Sequence, residues 1–364
     1  MNTYGDAYRV TIFGSSHGGG VGCVVDGLPA GMPIDLRAVQ RELDRRRPGQ
    51  SRVTSKRKEP DRVEVLDGLL DGRAAGLPLA FFVPNEDVDS STYDAYREIP
   101  RPGHADFPAR VKYLGRNDPR GGGQFSGRMT VGIVIAGAVA RQPLAAIGIG
   151  LVAHASQVGR VRLEREMSFD EIGAGVEKSP VRCADVETAL RMEEEIDAAR
   201  RDGDSVGGVI ECRIAGLPVG VGEPFFDPLE GAIARLAFAI PAVKGIEFGA
   251  GFAAAAMRGS EHNDPYVVKD GLVLTETNHA GGIQGGLSNG MPVVFRVVVK
   301  PTATIAKAQR SVDLRTMESA EIRGKGRHDP CIVPRAVPVI ENAAAIAVLD
   351  LVLLGGFLEG TARS

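Results

Sequence analysis

Residues 14–31 read GSSHGGGVGCVVDGLPAG, and residues 203–220 read GDSVGGVIECRIAGLPVG. Aligned without a gap, nine of the eighteen positions coincide: Gly14/Gly203, Ser16/Ser205, Gly18/Gly207, Gly19/Gly208, Cys23/Cys212, Gly27/Gly216, Leu28/Leu217, Pro29/Pro218 and Gly31/Gly220. Glycine-rich segments resemble one another easily, so the match draws its weight from the segment after each copy. After the first, Asp35 can cap a helix whose Leu36, Val39 and Leu43 share one face; after the second, Leu229, Ile233 and Leu236 do the same. A fainter echo links GGGQFSGRM at 121–129 with GIQGGLSNGM at 282–291. The chain is therefore read as one large domain, 1–364, built from two related halves about a pseudo-two-fold axis. The halves cover roughly 1–180 and 190–364. A charged stretch at 160–203 divides them, with an amphipathic, mostly solvated helix at 185–201. His17 aligns with Val206, so the second copy keeps the glycine scaffold without the imidazole.

Around the repeat, residues 9–13, 21–25, 209–214 and 292–299 read as strands. Residues 130–141 read as a small apolar helix, buried nearly all round and ended by Pro143. Residues 343–354 read as a similar helix. Sheets with helices packed on them place the chain in the α+β class.

Composition excludes several functions. A net charge of −3 argues against a polyanion binder, and 5% aromatic content with no Trp argues against a stacking platform for single-stranded nucleic acid. Cys23, Cys183, Cys212 and Cys331 lie far apart with no CxxC spacing, as expected of free thiols in a reducing cytosol. There is no signal-peptide pattern, and the longest apolar run, 131–140, is too short for a bilayer. A cytoplasmic protein that binds neither membrane nor nucleic acid is expected. No HExxH spacing suggests a metal and no GxSxG elbow suggests a serine hydrolase. A Walker A sequence is absent, and 18–22 leads into a strand, the wrong context for a dinucleotide fingerprint.

The basic residues are concentrated at 41–58 and 101–128. Arg45-Arg46-Arg47 close a helix before Pro48, and Arg52, Lys56, Arg57 and Lys58 follow in a polar loop. In Arg101-Pro102-Gly103-His104-Ala105-Asp106 the turn fixes His104, and Asp106 can orient its imidazole or stabilise its charged form. The glycine loop at 121–128 runs directly into the apolar helix, an arrangement that points N–H groups at an anion. Lys300-Pro301-Thr302-Ala303-Thr304 ends a predicted strand with a cation and two hydroxyls, and 326–331 sets Arg327, His328 and Asp329 side by side. Arginine offers a donor fork for phosphate or carboxylate, and histidine exchanges a proton near neutral pH. One Arg–phosphate hydrogen bond contributes about 1.5–3 kcal/mol, so several must converge. These residues point to proton chemistry on a small, phosphorylated anion.

Taken in order, GSSHG at 14–18, DGLPAG at 26–31, DRRRPG at 44–49, RPGHAD at 101–106, GGGQFSGR at 121–128, NHAGG at 278–282, KPTAT at 300–304 and GRHDPCIVPRAVP at 326–338 resemble chorismate synthases along nearly the whole chain. The resemblance implies a mixed β-α sandwich with internal two-fold symmetry, a homotetramer, and a phosphate-releasing lyase of the shikimate pathway. Its reaction is the 1,4-elimination that turns 5-enolpyruvylshikimate 3-phosphate into chorismate. It also implies reduced FMN as cofactor without net redox change, with NADPH a candidate reductant. By this resemblance Arg46, Arg52, Arg101 and Arg128 hold the substrate anions and His104 assists phosphate departure. His17 acts near the flavin, and Asp329 helps take a proton from flavin N5. Flavin contacts fall on Gln124, Phe125, Ser126, Pro241, Ala242, Gly285, Lys300, Pro301, Thr302, Ala303, Thr304 and Arg327. Two departures stand out: Ser15 replaces the family's usual Glu, and Gln124-Phe125-Ser126-Gly127-Arg128 replaces Arg-Ser-Ser-Ala-Arg. The competing readings are an anion- or nucleic-acid-binding protein and a flavin reductase. The first predicts steeply salt-dependent binding, the second net NADPH consumption.

Overall fold

The computed structural model describes residues 2–51, 54, 59–87, 93, 95–324 and 329–358. Strands β1 (Thr3–Tyr4), β2 (Arg9–Gly14) and β3 (Gly20–Asp26) precede helix α1 (Leu36–Arg46), whose Asp35 side chain caps the Arg37 N–H at 2.8 Å. Strands β4 (Glu64–Asp67) and β5 (Leu79–Pro84) complete an antiparallel sheet of order β1-β2-β3-β5-β4, and helix α2 (Thr130–Ala146) comes next. The plan then recurs. Strands β6 (Gly150–Val158) and β7 (Val161–Arg162) come first. Helices α3 (Phe169–Gly175) and α4 (Val186–Arg201) lead to β8 (Gly208–Ala215), α5 (Leu229–Ala239), β9 (Val243–Phe248), β10 (Val293–Val299) and α6 (Val333–Leu354). This sheet is also antiparallel, in the order β9-β10-β8-β6-β7. Leaving aside the short edge strands β1 and β7, both units run strand, strand, helix, strand, strand, helix. Both also place their last strand between the second and third. The fold is α+β.

The two aligned sequences land on β3 and β8, the second strand of each unit. The chain passes between sheets at 147–149, between α2 and β6, and not within 160–203. The charged stretch is an excursion inside the second unit, with α3 packed on β6 and α4 on β6 and β7. It hides the kinship of β2 and β6 by separating β6 from β8. The fainter echo joins unlike places, because 121–129 leads into a helix and 282–291 into strand β10.

Helix α2 packs on β2, β3 and β5, helix α6 on β6 and β8, and the two helices pack on each other. The order of layers is sheet, helices, helices, sheet. Small residues permit the central contact: a Cβ on Gly137 of α2 would meet the Asn342 backbone and side chain of α6 at 2.3–2.5 Å. Both helices outrun their sequence limits. Helix α2 continues through Pro143, which is buried with Leu144 against the core, and tertiary packing outweighs the one lost hydrogen bond. Helix α6 begins ten residues before 343 and contains Pro338. That proline has no N–H for the Pro334 carbonyl, and Arg182 Nη1 donates to it instead at 2.8 Å. By length and composition the helical stretches Gly127–Ala146 and Val333–Leu354 could each cross a membrane, but here they are mostly buried in the core. All four cysteines are free and buried.

Asp350 ties the last helix to the first strands. Its carboxylate accepts the N–H groups of Asp6, Ala7 and Tyr8 at 3.1, 2.8 and 2.7 Å. Substituting Asp350→Ala strands these donors, so an unfolding midpoint in urea should report a loss of about 2–4 kcal/mol.

Candidate active site

The ends of the two units enclose a cavity of about 660 Å³, within the usual range for small-molecule sites. The first unit contributes the His17 loop, the end of α1, the Arg101–His104 turn and the glycine loop before α2. The second contributes residues 238–244 at and beyond the end of α5, residues 300–304 after β10, and the start of α6. His17, Arg46, Arg101, His104, Gln124, Phe125, Ser126, Arg128, Pro241, Ala242, Lys300, Pro301, Thr302, Ala303, Thr304 and Asp329 all line it. Arg52 and Arg327 lie outside the described residues, as do parts of the loops 45–58 and 84–100. Gly285 is not brought to the cavity. The Gly286 carbonyl accepts the Leu229 N–H at the start of α5, whereas Pro241 lies past that helix's end, about 16 Å of helix away.

The turn at 101–106 is tightly organised. Gly103 has φ +71°. Arg101 donates to both Asp106 oxygens at 2.8 Å, and His104 Nδ1 lies 2.7 Å from Asp106 Oδ1. The Arg101 guanidinium lies over the Tyr96 ring at 4.4 Å and donates to Thr304 Oγ1 at 3.3 Å, joining the turn to the second unit. Burial alone would raise Asp106, but the hydrogen bonds from Arg101 and His104 outweigh it and hold its carboxyl well below the usual carboxylate range. An ionised Asp106 fixes the His104 ring through Nδ1, while Nε2, 3.4 Å from Arg101 Nη2, is the ring nitrogen not bound to a carboxylate. Asp106→Asn should cut turnover about 10²-fold by releasing that ring, measured as phosphate release at saturating substrate.

His17 is buried on the neighbouring loop. Its ring meets Tyr93 edge-on at 5.1 Å. Ser16 Oγ donates to the Arg120 carbonyl, and Asn85 Nδ2 donates to the Ser15 and Gly18 carbonyls at 3.0 Å. Three successive glycines, Gly121 to Gly123, have φ of +61°, +84° and +53°. A Cβ on Gly121 would lie 2.2–2.4 Å from the His17 ring, and one on Gly122 3.2 Å from the His104 ring. The glycine loop thus passes between the two imidazoles. The second copy of the repeat braces two cavity walls from behind. There Ser205 Oγ donates to the Thr302 carbonyl and the Val206 N–H to the Pro330 carbonyl.

On the inner wall, Arg46 donates to Thr130 Oγ1, Gly127 O and Asp61 Oδ2 at 3.2, 2.6 and 3.3 Å. Arg128 donates to Asn85 Oδ1 and Pro84 O at 2.9 and 3.1 Å, and pairs with Asp61 Oδ1. Arg335 pairs with Asp329 at 2.7 Å and donates to the Arg46 carbonyl. Burial pushes the Arg46 guanidinium down, and the neighbouring Arg335 adds to it. Lys300 is lowered by burial and by Lys244, also on the cavity wall. Phe125 leans on Tyr113, and the Ser126 hydroxyl accepts the Arg128 N–H. Sequence reasoning missed Asp61, Asn85, Tyr93 and Lys244, and gave Arg335 no role although its motif was in view. None of them carries a local signal, because each matters only through a partner distant in the chain.

A family model described as chorismate synthase matches residues 8–353. Curated proteins named chorismate synthase are similar over nearly their whole length. The one from Methanococcoides burtonii is 49% identical over 98% of this chain and 97% of its own, and that from Korarchaeum cryptofilum 50% identical over 96% and 97%. The protein of that name from Opitutus terrae is 48% identical over 96% of each chain. A solved structure described as the crystal structure of chorismate synthase superposes with a TM-score of 0.77 at 27% identity, covering 97% of this chain and 93% of the other.

Proposed function

The chain belongs to the chorismate synthase family, and on that basis we propose how its own residues serve the reaction. The enzyme is a lyase of the shikimate pathway that eliminates phosphate from 5-enolpyruvylshikimate 3-phosphate to give chorismate. A ring C–O bond and a ring C–H bond break, a second ring double bond forms, and phosphate and a proton leave. Arg46 and Arg128 grip the substrate anions on the inner wall. Arg101 is committed to Asp106 and acts chiefly by holding the His104 turn. His104, oriented through Nδ1, presents Nε2 to the departing phosphate oxygen as a general acid or positive charge. The observation that carries this reading is the convergence of two buried arginines and an aspartate-held histidine on one cavity.

Reduced FMN is the cofactor in this reading. When bound, it supplies transient electron density to the substrate. The residues fit it: the wall at 238–243 offers apolar surface and backbone for a flat ring, and Lys244 and Lys300 offer charge for a phosphate tail. His17 and the Arg335-clamped Asp329 are the acid–base groups on that side. NADPH serves at most as an external reductant. Exposed Phe225, Phe226, Tyr266, Val268, Leu272 and Val273 form apolar surface that suits packing of further copies, in keeping with a homotetramer working in the cytoplasm on a small-molecule substrate. Titrating reduced FMN anaerobically in the presence of substrate tests the cofactor assignment. Lys300→Ala should weaken binding about tenfold, the loss of one charge-assisted contact. Equal binding by both proteins would remove Lys300 from the site.

A further inference from the structure

Asp61 is wholly buried and does not line the cavity, yet it lies between two arginines that do. Its Oδ2 accepts from Arg46 Nη1 at 3.3 Å and its Oδ1 from Arg128 Nη1. Its backbone is in the left-handed region at φ +46°, and its carbonyl accepts Gln40 Nε2 at 3.1 Å from α1. The carboxylate is therefore anchored to the same helix that carries Arg46. Each arginine engages three of its five N–H donors with the residues named above. Among the described residues, Asp61 is the one carboxylate common to both. Arg335 next to them already has Asp329.

Among the described residues, two buried guanidiniums thus share one carboxylate, and the Arg46–Arg128–Asp61 cluster carries one net positive charge. Lone buried charge is costly, which agrees with the downward shift of Arg46. An anion arriving in the cavity completes the set. We propose that Asp61 is a positioning residue: a resident counter-ion that holds Arg46 and Arg128 as one fork and leaves a single charge for the substrate's anionic group. The inference rests on the reading of Arg46 and Arg128 as substrate-holding residues.

Asp61→Asn keeps the shape and removes the charge. The variant should melt about 5–10 °C lower than wild type without ligand. Inorganic phosphate is the probe, with chloride at matched ionic strength as control. Its stabilising shift should be at least twice as large in the variant, because phosphate in the cavity then meets two guanidiniums with no resident carboxylate between them. An ordinary core ion pair would lower the melting temperature and leave the phosphate shift unchanged, and that result overturns the inference. If Asp61→Asn does not fold, Asp61→Glu keeps the charge but moves it by one methylene. It should raise the substrate KM at least tenfold with kcat within threefold of wild type, and a wild-type KM overturns the inference. Wild-type turnover with unresponsive variants sinks the Asp61 role alone. Absence of wild-type turnover sinks the reading of the site and this inference with it.

Discussion

Replacing His104 with alanine is expected to lower kcat about 10²–10⁴-fold, the range for removing a general acid. The structure explains why the effect should fall on kcat. His104 does not stand among the arginines of the inner wall, so uniform binding of the substrate anions survives its loss. What disappears is an imidazole held 2.7 Å from Asp106 on a turn braced by Arg101 and Thr304. The measurement is chorismate formation under saturating substrate and reduced FMN. A turnover within a few-fold of wild type would remove His104 from the chemistry. His17→Ala should give a loss in the same range, with the same readout.

Gly121→Ala should cost about 10²-fold in turnover although it deletes no functional group. The added Cβ would sit 2.2 Å from His17 Cδ2, 2.4 Å from Nε2 and 2.5 Å from Ser16 Oγ. No rotamer of alanine relieves this, and the position needs φ of +61°, which costs a non-glycine residue about 1–2 kcal/mol. Either the His17 ring swings away or the glycine loop moves off His104, and a shift of about 1 Å in a reacting group is worth about 10²-fold. Gly127→Ala is the control, since a Cβ there meets nothing within 4 Å and φ is ordinary. Equal kinetics for Gly121→Ala and wild type would show that the glycines do not set the spacing of the imidazoles.

The repeat was legible because it is local: the glycine loop, the strand after it and the capped helix are each encoded in consecutive residues. The unit boundary was not, because β6 and β8 are separated by a charged excursion that carries no mark of being an insertion. The start of α6 was hidden for a related reason, since Pro338 stands inside that helix. The carbonyl that Pro338 leaves unpaired is satisfied by Arg182, 152 residues earlier in sequence. Along the cavity, His17, His104, Arg46, Arg101 and Arg128 stand in or beside distinctive loop sequences, which made them legible. Asp61 and Asn85 were not, since their meaning lies in contacts to Arg46, Arg128 and the His17 loop. Gly285, carried over by resemblance, lies beside the start of α5 and is not among the residues that line the cavity within one chain.

If one cavity between the two units performs the whole reaction, it expels phosphate from the substrate without net redox change. A single experiment checks this: anaerobic protein, reduced FMN and 5-enolpyruvylshikimate 3-phosphate are mixed, and phosphate, chorismate and flavin oxidation are followed together. One chorismate should form per phosphate, with the flavin still reduced at the end. Flavin oxidised in step with product, or no phosphate released at all, would contradict the assignment.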